Sequence, residues 1–376
     1  MKKTLLITLE FAPFFGGVGR YLYNMAKHLP PQSIFIMTPP HADSAKFDQK
    51  QYFSTTRTTL ISNNPFLWPK WIFSYGKVKR FVKEKKIEHL LVSHVLPIGT
   101  VAWMLKRRKG ITYSVVCHGT DVLSAQSKPG KRRLMLRIFN NAEKIITNSQ
   151  YTLDLIKNLG DYSNKLLVIT PATDILERSK DNNQEEIRNK YDLHDKKILL
   201  TVGRLVARKG HDIVIKALKQ AAESIPDLVY LIIGKGPEEA KLKRLVGQLG
   251  LNDKVIFAGA VPDRQLPSFY QLCHLFISVG RQQDCAIEGF GIVFLEANAF
   301  CKPVIAGDSG GVKEAVVQGE TGFLVDPQDQ QAISKHIIQL LQNRQLAHDM
   351  GAKGKERVIN EFSWLDRAKK LSTILS

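Results

Sequence analysis

Apolar and polar positions alternate in blocks along the chain. Short runs rich in Val, Ile and Leu are followed by longer stretches in which apolar residues recur at helical spacing. The runs predict strands buried on both faces, and the longer stretches predict helices. In the first half the predicted strands are Thr4–Leu9, Ser33–Met37, His89–Val92, Thr112–Cys117, Lys144–Thr147 and Leu166–Ile169. Predicted helices between them cover Val18–His28, Trp71–Lys85, Ile98–Lys109 and Lys131–Asn140. The pattern then restarts. Strands are predicted over Lys197–Val202, Val229–Ile233, Lys254–Phe257, Leu275–Ser278, Pro303–Ala306 and Gly322–Val325. Helices fit His211–Ser224, Glu238–Leu249, Gln265–Leu272, Ile292–Phe300 and Gln330–Leu341. Strand–helix alternation of this kind implies an α/β protein with two Rossmann-like, doubly wound parallel sheets. The polar stretch from Pro171 to Lys197, centred on Asp181-Asn182-Asn183-Gln184-Glu185-Glu186, is the best linker candidate. Two such sheets are expected to face a cleft, with functional residues just after strands.

The length of 376 residues suits two domains without a stabilising metal or disulfide. With 44% hydrophobic and 24% charged residues, a largely disordered chain is excluded. No apolar run approaches the roughly 18 residues of a membrane span. The apolar start after Met1-Lys2-Lys3 ends at Glu10 without a small-residue cleavage site, so it reads as a first strand and not as a signal peptide. Cys117, Cys273, Cys285 and Cys301 form no C-x-x-C pair and no zinc spacing. A reducing, cytoplasmic setting is expected, with no structural metal.

Charge changes the picture. The net formal charge is +19, and residues 1–180 carry +17 of it against +2 for residues 181–376. A basic half beside a near-neutral one suggests an acidic partner: nucleic acid, anionic membrane or anionic substrate. A solvated basic surface would look the same. No zinc-finger, RNP or homeodomain-like pattern supports nucleic acid.

Four motifs follow predicted strands. Phe14-Phe15-Gly16-Gly17-Val18-Gly19-Arg20 opens a helix, where glycines and free N–H groups favour an anion. A tight βα turn alone would also need them. Cys117-His118-Gly119-Thr120-Asp121 places a histidine at a strand's C-terminal end, able to donate to a hydroxyl, to relay a proton, or merely to bond its own loop. In Val202-Gly203-Arg204-Leu205-Val206-Ala207-Arg208-Lys209-Gly210, Arg204 and Lys209 can converge on a diphosphate as fork and point charge. The most specific is Glu288-Gly289-Phe290-Gly291-Ile292-Val293-Phe294-Leu295-Glu296-Ala297. Its two carboxylates stand eight apart, about 12 Å if the whole span were helical. The backbone N–H groups of Phe290, Gly291 and Ile292 would face a diphosphate or sugar hydroxyls. A surface Glu plus a buried, paired Glu is the plainer reading, but an acidic residue among Phe294, Leu295, Ala297 and Phe300 is costly unless paired or functional.

Together, Gly203-Arg204 with Lys209-Gly210, Glu288 with Glu296, and Gly310-Gly311 followed by Gly319-Glu320-Thr321-Gly322-Phe323-Leu324-Val325 resemble the retaining GT-B glycosyltransferases of family 4. The resemblance runs through the whole chain, including Gly16-Gly17, His118 and Phe362-Ser363-Trp364. The segment Val168-Ile169-Thr170-Pro171-Ala172-Thr173-Asp174 departs from the family's usual hinge pattern. The resemblance implies an acceptor-binding domain over residues 1–172, a nucleotide-sugar-binding domain over 173–359, and a helix at about 360–376 that returns to the first domain.

It also implies roles. Arg204 and Lys209 would hold the donor diphosphate, Glu296 the ribose hydroxyls, and Glu288 the transferred sugar, with His118 contacting that sugar. Gly16, Gly17, Gly203, Phe290, Gly291 and Ile292 would line the donor site. No D-x-D triplet is present, so the two cations would replace a metal, and no cofactor is expected. The segment Ser278–Ile287 resembles the branch of phosphatidylinositol-mannoside mannosyltransferases, which favours GDP-mannose over a UDP-hexose such as UDP-glucose or UDP-N-acetylglucosamine. A sugar-nucleotide 2-epimerase of the same architecture is the competing enzyme class, and a sugar-binding relative without turnover the competing non-enzyme. Trp68, Trp71, Phe73, Tyr75 and Phe81 interleave with Lys70, Lys77, Lys79, Arg80, Lys83, Lys85 and Lys86, and Lys106-Arg107-Arg108-Lys109 and Lys131-Arg132-Arg133 add basic clusters. That face suits the anionic inner surface of a cytoplasmic membrane, with a lipid-linked or glycan acceptor in envelope glycoconjugate synthesis. A buried aromatic set under a wet lysine face is the plainer alternative.

Overall fold

The structure, a computed structural model, describes residues 1–13, 16–176 and 183–376. Phe14 and Phe15 of the first glycine loop, and Asp181 and Asn182 of the polar stretch, lie outside the described residues. The chain divides into two compact units, Met1–Pro171 with Trp364–Ser376, and Ala172–Ser363.

The first unit holds seven strands: β1 (Thr4–Ile7), β2 (Ile34–Thr38), β3 (Ser54–Arg57), β4 (His89–Ser93), β5 (Thr112–Cys117), β6 (Ile145–Thr147) and β7 (Leu166–Val168). Their order is β3-β2-β1-β4-β5-β6-β7 with every pair parallel. Leu5 of β1 registers with Phe35 on one side and Leu90 on the other. Leu5, Ile7, Leu90, Val92 and Val115 are fully buried in one core. Six of these strands follow the apolar runs. The seventh, β3, is Ser-Thr-Thr-Arg at the sheet edge, and its exposed or half-buried side chains carry no apolar signal.

The last helix, Trp364–Ile374, belongs to this unit. Lys2 N–H donates to the Leu375 carbonyl at 2.9 Å, Lys370 Nζ to the Val168 carbonyl at 2.8 Å, and Arg367 Nε to Thr170 Oγ1 at 3.1 Å. The Trp364 ring meets the Tyr21 ring edge-on at 5.9 Å.

The second unit holds β8 (Lys197–Val202), β9 (Leu228–Ile233), β10 (Val255–Gly259), β11 (Leu275–Ser278), β12 (Val304–Gly307) and β13 (Gly322–Val325). The order β10-β9-β8-β11-β12-β13 is again all parallel. Besides the single turn Val312–Ala315, two helices here have no counterpart in the apolar pattern. Gln184–Tyr191 folds the C-terminal end of the supposed linker, burying Ile187; its Gln184 side chain donates to Gln271 at 2.9 Å. Arg344–Glu361 carries Gly351 and Gly354, a residue type that weakens a helix interior. They are instead contact points: a Cβ at Gly351 would lie 2.0 Å from the Cys301 carbonyl oxygen, and one at Gly354 2.5 Å from the Asn298 amide.

The aromatic set near Lys70 divides. Phe81 is core, and Trp71 and Tyr75 pack against that core, with Tyr75 also under the Arg108 guanidinium. Lys77 Nζ donates to Thr58 Oγ1 at 2.9 Å and to the Thr59 carbonyl at 2.8 Å. Trp68 and Phe73 stay exposed, joined by Phe66 at 96% exposure, which the sequence reading did not single out. Among the described residues no helix is long and apolar enough to cross a membrane.

Candidate functional site

In an open parallel sheet the ligand crevice lies outside the strand C-termini where the strand order reverses. That point falls between β1 and β4 in the first sheet and between β8 and β11 in the second. The motifs read from the sequence sit at or beside these two points.

In the second unit, the loop after β8 brings Arg208 and Lys209 to Glu288, which follows β11. Lys209 Nζ lies 2.6 Å and Arg208 Nη1 3.1 Å from the same Glu288 Oε2. Burial would raise the Glu288 pKa, but the Lys209 and Arg208 charges outweigh it and hold the carboxyl below its ordinary value. The two loops interlock through backbone. Arg281 N–H donates to the Arg208 carbonyl at 2.8 Å. Gly210, at φ +71°, lets that turn close on β11's exit, where a Cβ would sit 2.1 Å from the Val279 oxygen. The Arg281 guanidinium grips Asp212 bidentately, at 3.1 and 3.0 Å, at the start of the helix His211–Ser224. On its other side Glu288 is fixed by its carbonyl, which accepts from Gly311 N–H at 3.0 Å.

Arg204 is exposed, and its guanidinium has no partner among the described residues. Its carbonyl faces His211 Nε2 at 3.3 Å, and His211 Nδ1 faces Tyr230 Oη at 3.4 Å. Burial lowers the His211 pKa to about 4, so this prop beneath the loop is neutral at pH 7. Gly203 lies at the head of the same loop, against the Lys209 stem.

Glu296 sits in the helix Ile292–Ala299, 1% exposed, accepting from Tyr270 Oη at 2.8 Å. Glu288 stands in the glycine-rich loop before that helix, in keeping with the predicted helix Ile292–Phe300. The helix starts four residues later, after Gly291 at φ +94°, so the 12 Å helical rise expected between the carboxylates does not apply. The N–H groups of Phe290, Gly291 and Ile292 have no partner among the described residues, while the Phe290 ring is buried against Phe362. Such donors at a helix start attract an anion.

In the first unit, Gly16 and Gly17 open the helix Gly17–Lys27, and nothing lies within 4 Å of a Cβ built on Gly17. His118 follows β5 and is 7% exposed. Burial, with His94 adding repulsion, pushes its pKa well below the ordinary value, so it is neutral. Its Nε2 lies 2.9 Å from Ser93 Oγ, and its ring is 5.1 Å from that of His94. Asp121 fastens the loops: Oδ1 accepts from His118 N–H at 2.8 Å and Oδ2 from Val95 N–H at 3.1 Å. Among the described residues no three His, Cys, Asp or Glu side chains gather as a metal site would require.

The sequence motifs named Lys209, Glu288, Glu296 and His118 but not the neighbours they meet in the fold. Arg208 was inside a quoted motif. His94 stands two residues beyond the predicted strand His89–Val92, a signal close to the one that marked His118. Arg281 was inside the quoted segment Ser278–Ile287, but its pairing with Asp212, 69 residues away, and that of Tyr270 with Glu296, 26 away, are made by the tertiary fold and had no local signal.

Comparison with known proteins bears on both units. Residues 15–175 match the model for Glycosyltransferase Family 4, and residues 183–357 match that for Glycosyl transferases group 1. A GDP-mannose-dependent alpha-(1-6)-phosphatidylinositol monomannoside mannosyltransferase of Mycolicibacterium smegmatis is 29% identical over 99% of this chain and 98% of its own. A Corynebacterium glutamicum mannosyltransferase acting on the monoacylated form is 28% identical over 100% and 98%. The Anabaena protein Alr3699/HepE, solved in complex with UDP, shares the fold with a TM-score of 0.84 at 20% identity, covering 99% of each chain.

Proposed function

We propose that this chain, which belongs to the GT-B glycosyltransferases described by the family 4 and group 1 models, transfers a hexose with retention of configuration and without a metal ion. The donor is GDP-mannose, and the acceptor is a lipid-linked or glycan hydroxyl at an anionic membrane surface. One observation carries the reading. At the second sheet's switch point, Lys209, Arg208 and the unpartnered Arg204 accompany three backbone N–H groups without a partner among the described residues.

In this mechanism the bond from the sugar's anomeric carbon to the diphosphate breaks and its electron pair leaves with the phosphate. The acceptor oxygen bonds to that carbon on the same face, and its proton passes to the departing phosphate oxygen. Negative charge grows on the diphosphate, and fixed cations and N–H dipoles lower that barrier most directly. Lys209 and Arg204 are the principal cations, with Arg208 beside them. Gly16 and Gly17 offer N–H groups to the phosphate. Glu288 stabilises positive charge on the sugar ring, Glu296, oriented by Tyr270, takes the ribose hydroxyls, and neutral His118 takes a sugar hydroxyl. The preference for GDP-mannose rests on the named activity of relatives 28–29% identical over nearly the whole chain.

Membrane contact is supported by Phe66, Trp68 and Phe73, at 96%, 88% and 63% exposure, beside exposed Lys70, Lys79, Arg80 and Lys83. Flotation with anionic vesicles at low salt is expected to carry the protein, and no binding ends this part of the reading.

Titration with GDP and UDP in EDTA, followed by turnover with each nucleotide-sugar, tests the donor. GDP is expected to bind and GDP-mannose to turn over undiminished. Binding of UDP with silent GDP reverses the donor to a UDP-hexose. Activity lost to EDTA and restored by Mn²⁺ or Mg²⁺ overturns metal independence. Interconversion of the nucleotide-sugar without acceptor identifies an epimerase instead.

A further inference from the structure

Two histidines, and not one, stand at the C-terminal edge of the first sheet. His94 directly follows β4, one of the two strands flanking the switch point. It holds a left-handed backbone, φ +73°, which a non-glycine residue adopts at a cost. Its N–H donates to the Val116 carbonyl at 3.0 Å, tying it to β5. Asp121 ties the same two loops a second time through Val95 and His118. The backbone therefore fixes both imidazoles relative to Ser93, whose hydroxyl is fully buried between them.

Ser93 Oγ lies 2.9 Å from His118 Nε2 and 3.3 Å from His94 Nδ1. A hydroxyl has one proton, so it donates to one ring and accepts from the other. If it donates to His118 Nε2, that ring carries its proton on Nδ1, and His94 must offer Nδ1–H to Ser93. If it donates to His94 Nδ1, both rings carry the proton on Nε2. With one proton on each ring, the two imidazoles must then share one tautomer. The remaining nitrogens, His118 Nδ1 and His94 Nε2, have no partner among the described residues. In either state one of them donates while the other accepts.

We propose that Ser93 couples His94 and His118 into one hydrogen-bond relay, and that His94 is a positioning residue which sets the face His118 presents to a ligand hydroxyl. A donor beside an acceptor matches neutral hydroxyls, each of which gives and takes a hydrogen bond. It does not match a phosphate, which only accepts. The ligand class at this edge is thus a neutral polyhydroxyl group, a sugar or cyclitol ring. The kinetic consequence rests on the glycosyltransferase reading, but the relay does not.

Long-range proton–nitrogen spectra of the full chain labelled with ¹⁵N-histidine at pH 8, where a free imidazole is neutral, read the tautomers directly. His94→Gln and His118→Gln assign the signals. Equal tautomer populations are expected in the two rings, and Ser93→Ala is expected to make them unequal. Opposite tautomers in the native protein, or equal populations persisting in Ser93→Ala, overturn the relay. Should Ser93→Ala fail to fold, the native spectrum alone decides. In turnover, His94→Gln and Ser93→Ala are expected to lower kcat about 10- to 100-fold with nucleotide affinity unchanged, and Ser93→Thr, which keeps the hydroxyl, to recover most of it. A Thr variant as slow as the Ala variant, or unchanged kcat in His94→Gln, overturns the positioning role. Absence of turnover with any donor counts against the enzymatic reading while the spectra still judge the relay.

Discussion

The loops leaving β4 and β5 carry Ser93, His94 and His118, a set joined by hydrogen bonds around one buried hydroxyl. The loops leaving β8 and β11 carry Arg208, Lys209 and Glu288, a set of full charges only partly withdrawn from water, with side-chain exposures of 29%, 13% and 19%. Both sets sit at or next to the point where a parallel sheet reverses its strand order. Topology supplies the position, and burial selects the chemistry. A buried imidazole discards its charge, whereas a carboxylate held by two cations keeps it. The second set has one cation more than it has anions, and Arg204 adds another, which suits a doubly charged ligand. In the first set the buried His118 gives up its charge, which suits hydroxyls.

Substitutions can break this contrast. Lys209→Met is expected to have the largest effect, lowering kcat by about 10²- to 10³-fold and weakening nucleotide binding in titration. Full activity there would mean that charge is not what the second set supplies. His118→Gln comes next, with kcat lowered about 10²-fold and nucleotide affinity unchanged; a loss of nucleotide affinity would erase the division of labour. Arg281→Ala frees Asp212 and loosens the turn bearing Arg208 and Lys209. A fall in kcat/KM of about 10-fold is expected, partly kept by Arg281→Lys, which retains charge without the bidentate fork.

The smallest effect separates the two chemistries by pH. Burial lowers the pKa of His89, His211 and His274 to about 4. The unfolded chain takes up these protons below about pH 6.5 while the native protein refuses them. Stability is therefore expected to fall from about pH 6.5 toward about pH 4. Glu288 has a depressed pKa, so its contribution survives that window and is lost only as pH falls through its folded pKa, below the ordinary carboxylate range. Thermal unfolding across this range checks the order, and His211→Asn should flatten the upper slope.

Much of the fold was legible because a strand buried on both faces needs an unbroken apolar run, and twelve strands have one. The edge strand β3 does not, since only one side of it meets a neighbour. The helix Arg344–Glu361 hid behind Gly351 and Gly354, whose missing side chains serve packing and not flexibility. At the candidate site, motifs disclosed residues whose chemistry depends on local spacing, such as Lys209 and His118. They could not disclose that Glu288 pairs with Lys209, 79 residues away. They also could not disclose that Ser93 stands between two histidines, because a serine at a strand end has no distinguishing local pattern.

The closing helix Trp364–Ile374 has a consequence for how the protein is made. The first unit starts emerging from the ribosome before the second, yet the piece that covers Tyr21 and satisfies the Lys2 amide is synthesised after both. The second unit, Ala172–Ser363, is contiguous and has all its residues before that piece exists. Assembly must then finish in the reverse of the order in which translation began, and a nascent chain interrupted near residue 360 would hold one complete unit and one still missing its final helix.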